Sequence, residues 1–167
     1  MIKVSFFVQR TIMWDDKVNC VKLIDQNLLP EKLQFVLCRN VPSLINAIKS
    51  MKIRGAPALG VAGAMGVALS AQNNRSQNRD AFLDAVEKDT EDLGKARPTA
   101  TNLRWGVDQA LAYLKELPKD ITISSARKRI VDFVKKLADQ DVLTNKKLSK
   151  YGEKLILSGA SVLTHCN

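Results

Sequence analysis

Two arginines and one cysteine have the clearest capacity for binding or catalysis in this sequence. Arg54 begins the run RGAPALG, and Arg97 precedes Pro98 in the run ARPTATN. The guanidinium group of arginine is a planar fork of donors that matches the oxygens of a phosphate. Cys166 lies in the run VLTHCN, and a thiol can transfer a proton or act as a nucleophile. These three side chains would together suit a reaction on a bound anion.

Both arginines lie just before a predicted helix start. Pro57 and Pro98 favour the first turn of a helix, where the N–H that proline lacks would have no partner in any case. The N-terminus of a helix carries a partial positive charge and unpaired N–H groups that bind phosphate or carboxylate. We therefore predict one anion site at the two helix starts, where Gly55 allows close backbone approach. Its predicted donors are the guanidinium groups of Arg54 and Arg97 and the backbone N–H groups of Gly55, Ala56, Ala58 and Leu59, with polar groups from Thr99, Thr101 and Asn102 beside them.

Each of these residues also has a structural alternative. Arg54 or Arg97 alone could cap a neighbouring carbonyl group or pair with a carboxylate. Cys166 could be a buried structural thiol, which is the commoner role of a free cysteine. His165 adjoins Cys166, but consecutive residues of a strand point to opposite faces, so we do not expect a dyad. His165 is instead predicted to be a packed or hydrogen-bonded residue.

The composition is that of a globular protein with a basic surface. The 167 residues are 46% apolar, which is enough for one sizeable core, and 26 basic against 17 acidic residues give a net charge of +9. That charge suits polyanions, small phosphorylated ligands or solubility alone. The basic residues late in the sequence alternate with apolar ones at helical spacing, without interleaved aromatic residues. This pattern favours a solvated helix face over a nucleic-acid partner.

Other classes of protein are disfavoured by the remaining composition. No signal-peptide pattern follows Met1, and the longest uncharged run, residues 55–74, is rich in glycine and alanine, as in a tightly packed interior helix rather than a membrane span. The three cysteines are widely spaced and there is one histidine, so we expect no metal site. Cys20 and Cys38 are predicted to be core residues of strands. We expect a cytoplasmic protein with no cofactor, no metal and no membrane partner.

Apolar spacing predicts strands first and helices afterwards. Alternating residues favour strands over 3–9, 11–14, 18–25 and 33–38, with a hairpin turn at 15–17. The period becomes helical at Ser43, a predicted N-cap residue. Six helices are predicted, over about 44–51, 57–71, 81–93, 98–117, 125–137 and 142–157, with Ser124 or Ser125 as the cap of the fifth. Two stripes of small residues in the second helix should let neighbouring backbones come close: Ala58, Ala62 and Gly66, and Gly60, Ala64 and Ala68.

A short apolar strand at Val162 and Leu163 is predicted to follow the helices. It has the character of the first strand of an α/β unit, and Cys166 would lie at its carboxyl end, where ligands bind in such sheets. The predicted fold class is therefore α+β, with a small N-terminal antiparallel β-sheet, a helical bundle, and the first strand of a missing α/β domain. The predicted domains are residues 1–158 and the beginning of a second domain at 159–167.

Five segments together carry a family resemblance. The runs RTIMW, LIDQNLLP, KIRGAPALGVAGAMGVAL, ARPTATNLRWGVDQ and VLTHCN resemble the amino-terminal half of the methylthioribose-1-phosphate isomerase family. That family shares a superfamily with the regulatory subunits of eukaryotic translation initiation factor 2B. The resemblance covers roughly residues 10–167, in the same order along the chain.

The resemblance implies an aldose–ketose isomerase of methionine salvage. Such an enzyme converts 5-methylthioribose 1-phosphate to 5-methylthioribulose 1-phosphate with neither cofactor nor metal. By motif match, Cys166 is the catalytic thiol, and its partner is an aspartate outside this sequence. Arg54, Gly55, Ala56 and Arg97 are implied to lie near the sugar phosphate.

The sequence departs from the family in length. Family members are roughly twice as long, because a Rossmann-like carboxy-terminal domain follows and provides the usual dimer surface. The resemblance therefore implies either an amino-terminal fragment or a protein whose remaining part is a separate chain. In both cases this chain is expected to be inactive alone and to belong to a homodimer when complete.

Two alternative functions are left open. The first is a non-catalytic regulatory subunit of the initiation-factor type, although such relatives commonly lack the paired RGAP and THCN motifs. The second keeps the isomerase chemistry and changes the sugar to ribose 1,5-bisphosphate or 5-deoxyribose 1-phosphate. The run APALG after Arg54 and Gly55 resembles the methylthioribose branch more than the bisphosphate branch.

Overall fold

A small antiparallel sheet precedes five helices, and the second helix lies at the centre of the core. The computed structural model describes residues 10–163. This order of a sheet followed by helices confirms the predicted α+β class. The strands are β1 (Ile12–Asp15), β2 (Cys20–Ile24) and β3 (Phe35–Cys38), and the helices are α1 (Val41–Lys49), α2 (Ala56–Asn73), α3 (Arg79–Gly94), α4 (Thr101–Glu116) and α5 (Ile123–Gly152), with short 3₁₀ turns at Gln26–Leu28 and Glu153–Leu155.

The three strands form a meander in the order β1-β2-β3. The predicted hairpin turn is confirmed: the Asp15 carboxylate accepts a hydrogen bond from the backbone N–H of Lys17 at 3.0 Å, and Asn19 closes the turn with a left-handed φ of 50°. Cys20 and Cys38 are fully buried, as predicted. The strand predicted over residues 3–9 lies outside the described residues.

Helix α1 begins earlier than its apolar stripe suggests. The N-cap is Asn40 and not the predicted Ser43. The Asn40 side chain accepts the Ser43 N–H at 2.9 Å, and the Ser43 hydroxyl accepts the Asn40 N–H at 3.3 Å. The two residues form a reciprocal capping box. Ser43 was therefore correctly placed at the helix start, but it is the third residue of the first turn.

Helix α2 is buried on all sides, which confirms that the long uncharged run is an interior helix. Every residue from Leu59 to Ala71 is buried. None of the helices within residues 10–163 is both long enough and apolar enough to cross a bilayer.

Two glycines set the distance between α2 and α4. A Cβ atom on Gly106 would overlap the backbone carbonyl oxygen of Gly60, and one on Gly63 would overlap that of Leu103. Arg79 begins α3 soon after the C-terminal end of α2, and it donates to the Leu117 carbonyl beside the C-terminal end of α4 at 2.9 Å. The C-terminal ends of α2 and α4 therefore lie near each other. The two helices therefore run parallel, and their N-termini lie at the same end of the pair.

Helix α4 begins at Thr101, so the prediction of a start at Pro98 is wrong. Pro98 lies instead in a turn that the Ala100 N–H closes by donating to the Arg97 carbonyl at 2.9 Å. Proline is as favourable at the second position of a β-turn as in the first turn of a helix. The local sequence alone therefore does not decide whether Pro98 lies in a β-turn or in the first turn of a helix.

The predicted fifth and sixth helices form a single helix, α5. Its N-cap is Thr122, whose hydroxyl accepts the Ser125 N–H at 3.2 Å, and not Ser124 or Ser125. The run Asp139-Gln140-Asp141 interrupts the apolar stripe but contains no helix breaker. The change of pattern marks the point where the helix leaves the core, because the side chains from 143 to 151 are exposed.

The predicted strand at Val162 and Leu163 is not formed in the part of the chain that the structure describes. Residues 161–163 have no regular secondary structure, and both apolar side chains are exposed. A strand requires a neighbour to pair its backbone groups, and no described strand lies beside this segment. Residues 164–167 lie outside the described residues.

Candidate functional site

The N-terminal ends of α2 and α4 differ from those of the other three helices. Helices α1, α3 and α5 are closed by the side chains of Asn40, Asn78 and Thr122. The N-cap positions of α2 and α4 are Gly55 and Ala100, and neither helix has a side-chain cap within the described structure. The first N–H groups of a helix need such a cap, water or a ligand. The two open ends are those that follow the two arginine motifs.

The backbone at the start of α2 leaves several donors free. Gly55 has φ 93° and ψ 130°, a left-handed conformation that favours glycine, and a Cβ atom there would meet nothing within 4 Å. The Leu59 N–H donates to the Gly55 carbonyl at 2.9 Å, so the prediction that it faces an anion is wrong. The N–H groups of Gly55, Ala56 and Ala58 have no acceptor within residues 10–163.

Arg54 carries a buried donor at this open end. Its Nε atom is inaccessible to solvent and has no hydrogen-bond partner among the described residues. A buried donor without a partner costs about 1–3 kcal/mol. The preceding Ile53 is fully buried, which anchors the chain next to Arg54. Arg54 therefore stands next to the N-cap residue of α2 with one donor that no described residue satisfies.

Arg97 occupies the turn before α4 and is half-buried. Its carbonyl oxygen closes the turn, and its guanidinium group makes no ion pair in the described part of the chain. Because α2 and α4 run parallel, Arg97 and Arg54 both precede helix starts at the same end of the pair. Their convergence on one anion stays a prediction.

An open groove of about 680 Å³ lies beside these helix starts. This volume is within the range of about 300–1,000 Å³ that is usual for small-ligand sites. The groove brings together one residue from each arginine motif, Pro57 and Asn102, although Arg54, Gly55, Ala56 and Arg97 do not line it. Its lining residues are Pro57, Gly60 and Val61 of α2, Asn102, Trp105 and Gln109 of α4, and Phe133, Lys136, Leu137, Gln140, Asp141 and Thr144 of α5.

Trp105 is the aromatic residue of α4 in the groove, and the sequence analysis did not single it out. Its side chain is 49% exposed, which is unusual for tryptophan in a packed helix pair. It stands one turn after the start of α4, within the motif ARPTATNLRW. An aromatic residue one turn beyond a helix-start motif is the signal that could have identified it.

The two described cysteines are unsuited to proton transfer near neutral pH. Burial raises the pKa of Cys38 to about 11, and burial also raises the pKa of Cys20. Both are fully buried. Cys166, the predicted catalytic thiol, and its neighbour His165 lie outside the described residues, so the role of Cys166 stays a prediction. Among residues 10–163, no cluster of three histidine, cysteine, aspartate or glutamate side chains could hold a metal ion.

A family model and several relatives match this chain. The chain belongs to the initiation factor 2 subunit family, whose model matches residues 52–167. It is 39% identical over 160 residues to a putative methylthioribose-1-phosphate isomerase of Methanosarcina acetivorans, with 96% of this chain and 45% of that protein covered. It is 41% identical over 158 residues to a protein of the same name from Archaeoglobus fulgidus, with 95% of this chain and 45% of that protein covered. The chain thus spans less than half the length of these curated relatives.

Two solved structures share this fold. One is a protein from A. fulgidus described as subunit delta of translation initiation factor eIF-2B, with a TM-score of 0.80 and 40% identity over 90% of this chain and 42% of that one. The other is 5-methylthioribose 1-phosphate isomerase from Pyrococcus horikoshii, with a TM-score of 0.80 and 34% identity over 88% of this chain and 40% of that one. One protein with this fold is therefore described as an isomerase and the other as an initiation-factor subunit.

Proposed function

We propose that this chain is the amino-terminal part of a cytoplasmic isomerase that converts 5-methylthioribose 1-phosphate to 5-methylthioribulose 1-phosphate. Relatives that carry the isomerase name match 95–96% of the chain at 39–41% identity. The observation that carries the proposal is the open start of α2, where Arg54, with its unpaired Nε, directly precedes backbone N–H groups that have no acceptor within residues 10–163. This arrangement suits the phosphate of the substrate, which keeps its negative charge throughout the reaction.

The phosphate would bind at the start of α2. The N–H groups of Gly55 and Ala56 would donate to its oxygens, with the positive end of the helix dipole behind them. Arg54 would donate through Nε, and Arg97 would approach from the start of α4. Holding the phosphate fixes the sugar, so that its reacting carbons lie against the catalytic groups.

The proposed reaction moves hydrogen within the sugar. The bond between C1 and the ring oxygen breaks, hydrogen moves from C2 to C1, and the C2 hydroxyl becomes the ketone as it loses its proton. The ring oxygen gains a proton, so the reaction is balanced without any added oxidant or reductant. Cys166 is the proposed proton-transfer group, and its carboxylate partner is proposed to lie outside this sequence.

The proposal includes a requirement for a second segment. The relatives are more than twice as long as the region they share with this chain. We propose that their remaining residues supply the carboxylate partner, the other wall of the substrate site and the surface of a homodimer. The chain by itself would then bind phosphate without forming product.

A chimaeric enzyme tests this function. The remaining sequence of the A. fulgidus relative would be fused after Asn167, and ketose formation from 5-methylthioribose 1-phosphate would be measured. We expect activity in the chimaera and its loss in Cys166→Ala, while Cys20→Ala keeps activity as the matched thiol control. A folded chimaera that binds the substrate and forms no ketose would rule out the isomerase.

A regulatory subunit is the second candidate function. It is favoured by the likeness to the A. fulgidus protein described as an initiation-factor subunit, at 40% identity and a TM-score of 0.80. A folded chimaera that forms no ketose and that co-purifies with an initiation factor would support this candidate. Ketose formation only from ribose 1,5-bisphosphate or 5-deoxyribose 1-phosphate would keep the reaction and change the substrate.

A further inference from the structure

A buried carboxylate lies in the segment LIDQNLLP, which the proposed reaction does not use. Asp25 is 4% exposed. One of its oxygens lies 2.9 Å from Lys52 Nζ, and the other accepts the Asn27 N–H at 3.2 Å. Burying a carboxylate costs free energy unless it is paired and hydrogen-bonded. Asp25 meets both conditions, and its ionic partner stands two residues before Arg54.

The short turn after Asp25 also forms hydrogen bonds with the loop that leads to Arg54. The Gln26 N–H donates to the Lys52 carbonyl at 2.9 Å, and the Asn27 side-chain amide donates to the Ser50 carbonyl at 2.9 Å. Together with the Asp25–Lys52 ion pair, these bonds join the residues before β3 to the loop between α1 and α2. We name this group of three contacts the loop clamp.

The clamped loop has little freedom of its own. Met51 is held at a left-handed φ of 60°, and the Lys52 N–H donates to the Ala47 carbonyl at 2.9 Å. Ile53 is fully buried. The fixed position of Lys52 and Ile53 therefore determines where Arg54 enters the protein and how Gly55 begins α2.

We propose that Asp25 is a positioning residue for the anion site, acting through Lys52 to hold Arg54 with its Nε directed inward. This proposal rests on the proposed function of the α2 start as a phosphate site. A free arginine side chain would turn its donors to water, because an unpaired buried Nε is unfavourable. The loop clamp opposes that movement, so the donor stays ready for the phosphate.

The direction in which Asp25→Asn changes phosphate affinity distinguishes a positioning role from an electrostatic one. Asp25→Asn removes a negative charge near the anion site, and charge alone would then make phosphate bind more tightly. Loss of the loop clamp has the opposite effect, because Arg54 is no longer held in place. We expect the dissociation constant of the chain for inorganic phosphate to rise about tenfold. Unchanged or tighter binding in a folded Asp25→Asn variant would overturn the proposal.

Asp16→Asn is the matched control for the change of charge. Asp16 pairs with Lys135 at 2.7 Å on the surface and belongs to the hairpin turn rather than to the loop clamp. We expect its phosphate affinity to stay within twofold of the unsubstituted chain. An equal loss in both variants would overturn the positioning role.

Lys52 supplies the test if Asp25→Asn does not fold. Lys52→Arg keeps the ion pair and should keep phosphate binding, whereas Lys52→Gln should weaken it about tenfold, as Asp25→Asn does. Equal binding in the two Lys52 variants would overturn the proposal.

A measurement without phosphate separates this proposal from the proposed function. The Arg54 Nε–H signal, assigned by its loss in Arg54→Lys, reports the orientation of the side chain by NMR. We expect slow hydrogen exchange in the unsubstituted chain and at least tenfold faster exchange in Asp25→Asn and Lys52→Gln, because the donor becomes exposed. Unchanged exchange overturns the positioning role. Absence of phosphate binding in the unsubstituted chain overturns the anion site instead.

Discussion

The two ends of α2 use arginine in opposite ways. At the C-terminal end, Arg127 Nε donates to the Ala71 carbonyl at 3.0 Å, and its guanidinium group also reaches the Asn74 carbonyl. A cation beside the negative end of a helix dipole is favourable. At the N-terminal end, Arg54 stands beside the positive end with Nε unpaired within the described residues. A cation there is unfavourable by about 0.3–1 kcal/mol, and an anion between it and the helix would offset that cost.

Helix α4 repeats the contrast. Arg79 donates to the Leu117 carbonyl at 2.9 Å and so closes the C-terminal end. The N-terminal end follows Arg97 and has no side-chain cap within the described structure. Arg79 and Arg127 therefore close helix ends, whereas the side chains of Arg54 and Arg97 have no hydrogen-bond acceptor among residues 10–163. The difference predicts a structural role for an arginine at the C-terminal end of a helix and a binding role for one at an uncapped N-terminal end.

The largest effect is expected from disturbing the alignment of the two open ends. Gly106→Ala would place a Cβ atom against the Gly60 carbonyl, which is backbone and cannot rotate away. We expect a loss of about 3 kcal/mol in the free energy of unfolding, measured by urea denaturation. Gly152→Ala is the control, because nothing lies within 4 Å of its Cβ position. Equal losses in the two variants would contradict the close packing of α2 and α4.

The closed end of α2 should respond to substitution through stability. Arg127→Ala removes two charged hydrogen bonds to carbonyl groups, and we expect a loss of about 2–3 kcal/mol in the free energy of unfolding. Phosphate affinity should not change. The comparison between the two ends would fail if phosphate binding weakened as much in Arg127→Ala as in Arg54→Ala.

The open end should respond through binding. Arg54→Ala and Arg97→Ala each remove a charged hydrogen bond, worth about 1.5–3 kcal/mol, so phosphate affinity should fall roughly tenfold to a hundredfold. The free energy of unfolding should stay the same or rise in Arg54→Ala, because an unpaired buried donor is removed. Arg129→Ala, on the exposed side of α5, is the control, and calorimetric titration with phosphate gives the affinities. Unchanged phosphate affinity in both variants would make the two arginines structural.

The capped start of α1 should be unable to hold an anion. The Cys38 thiol lies against it and donates to the Ser43 carbonyl at 3.7 Å, and burial raises its pKa to about 11. In the unfolded chain a thiol ionises near a pKa of about 8.5. Above pH 8.5 the thiol therefore ionises more easily in the unfolded chain than in the folded one. The free energy of unfolding should fall by about 1.4 kcal/mol per pH unit between pH 8.5 and pH 11.

Urea denaturation between pH 8 and pH 10 measures this dependence. Cys38→Ala should lower the overall stability but give a shallower fall with pH. If the free energy of unfolding falls equally steeply with pH with and without Cys38, the thiol ionises equally easily in the folded and the unfolded chain. The capped helix start would then not exclude an anion.

Parts of the fold follow directly from local sequence. Helix α2 is predictable because its uncharged run has no polar face, and the first hairpin because Asp15 can accept from its own turn. The open start of α2 is predictable in the same way, since glycine before Ala56 offers no side-chain acceptor, whereas the N-cap of α4 was missed because its start was placed at Pro98. Three of the errors concern boundaries where two local solutions have similar free energies. Pro98 fits a β-turn as well as a helix start, Ser43 fits two positions of a capping box, and the polar run at 139–141 fits a helix as well as a loop.

The residues of the candidate site also divide into those that the sequence could predict and those that it could not. Arg54, Gly55 and Arg97 could be selected from sequence, because charge, glycine and proline at a helix start have a direct physical meaning. The loop clamp could not, because Asp25 and Lys52 are separated by the whole of β3 and α1. Trp105 was missed since exposure of an aromatic residue depends on what packs against it.

The sequence by itself determined that Arg54 and Arg97 stand just before helix starts and that glycine at the start of α2 offers no cap, because these features depend on residues only a few positions apart. Only the tertiary structure decided that α2 and α4 run parallel with their open ends together, since this follows from the bond between Arg79, soon after α2, and Leu117 at the end of α4. It also decided that Arg127 and Arg79 close the opposite ends. Those contacts join residues far apart in the chain, and their geometry depends on the packing of the whole core.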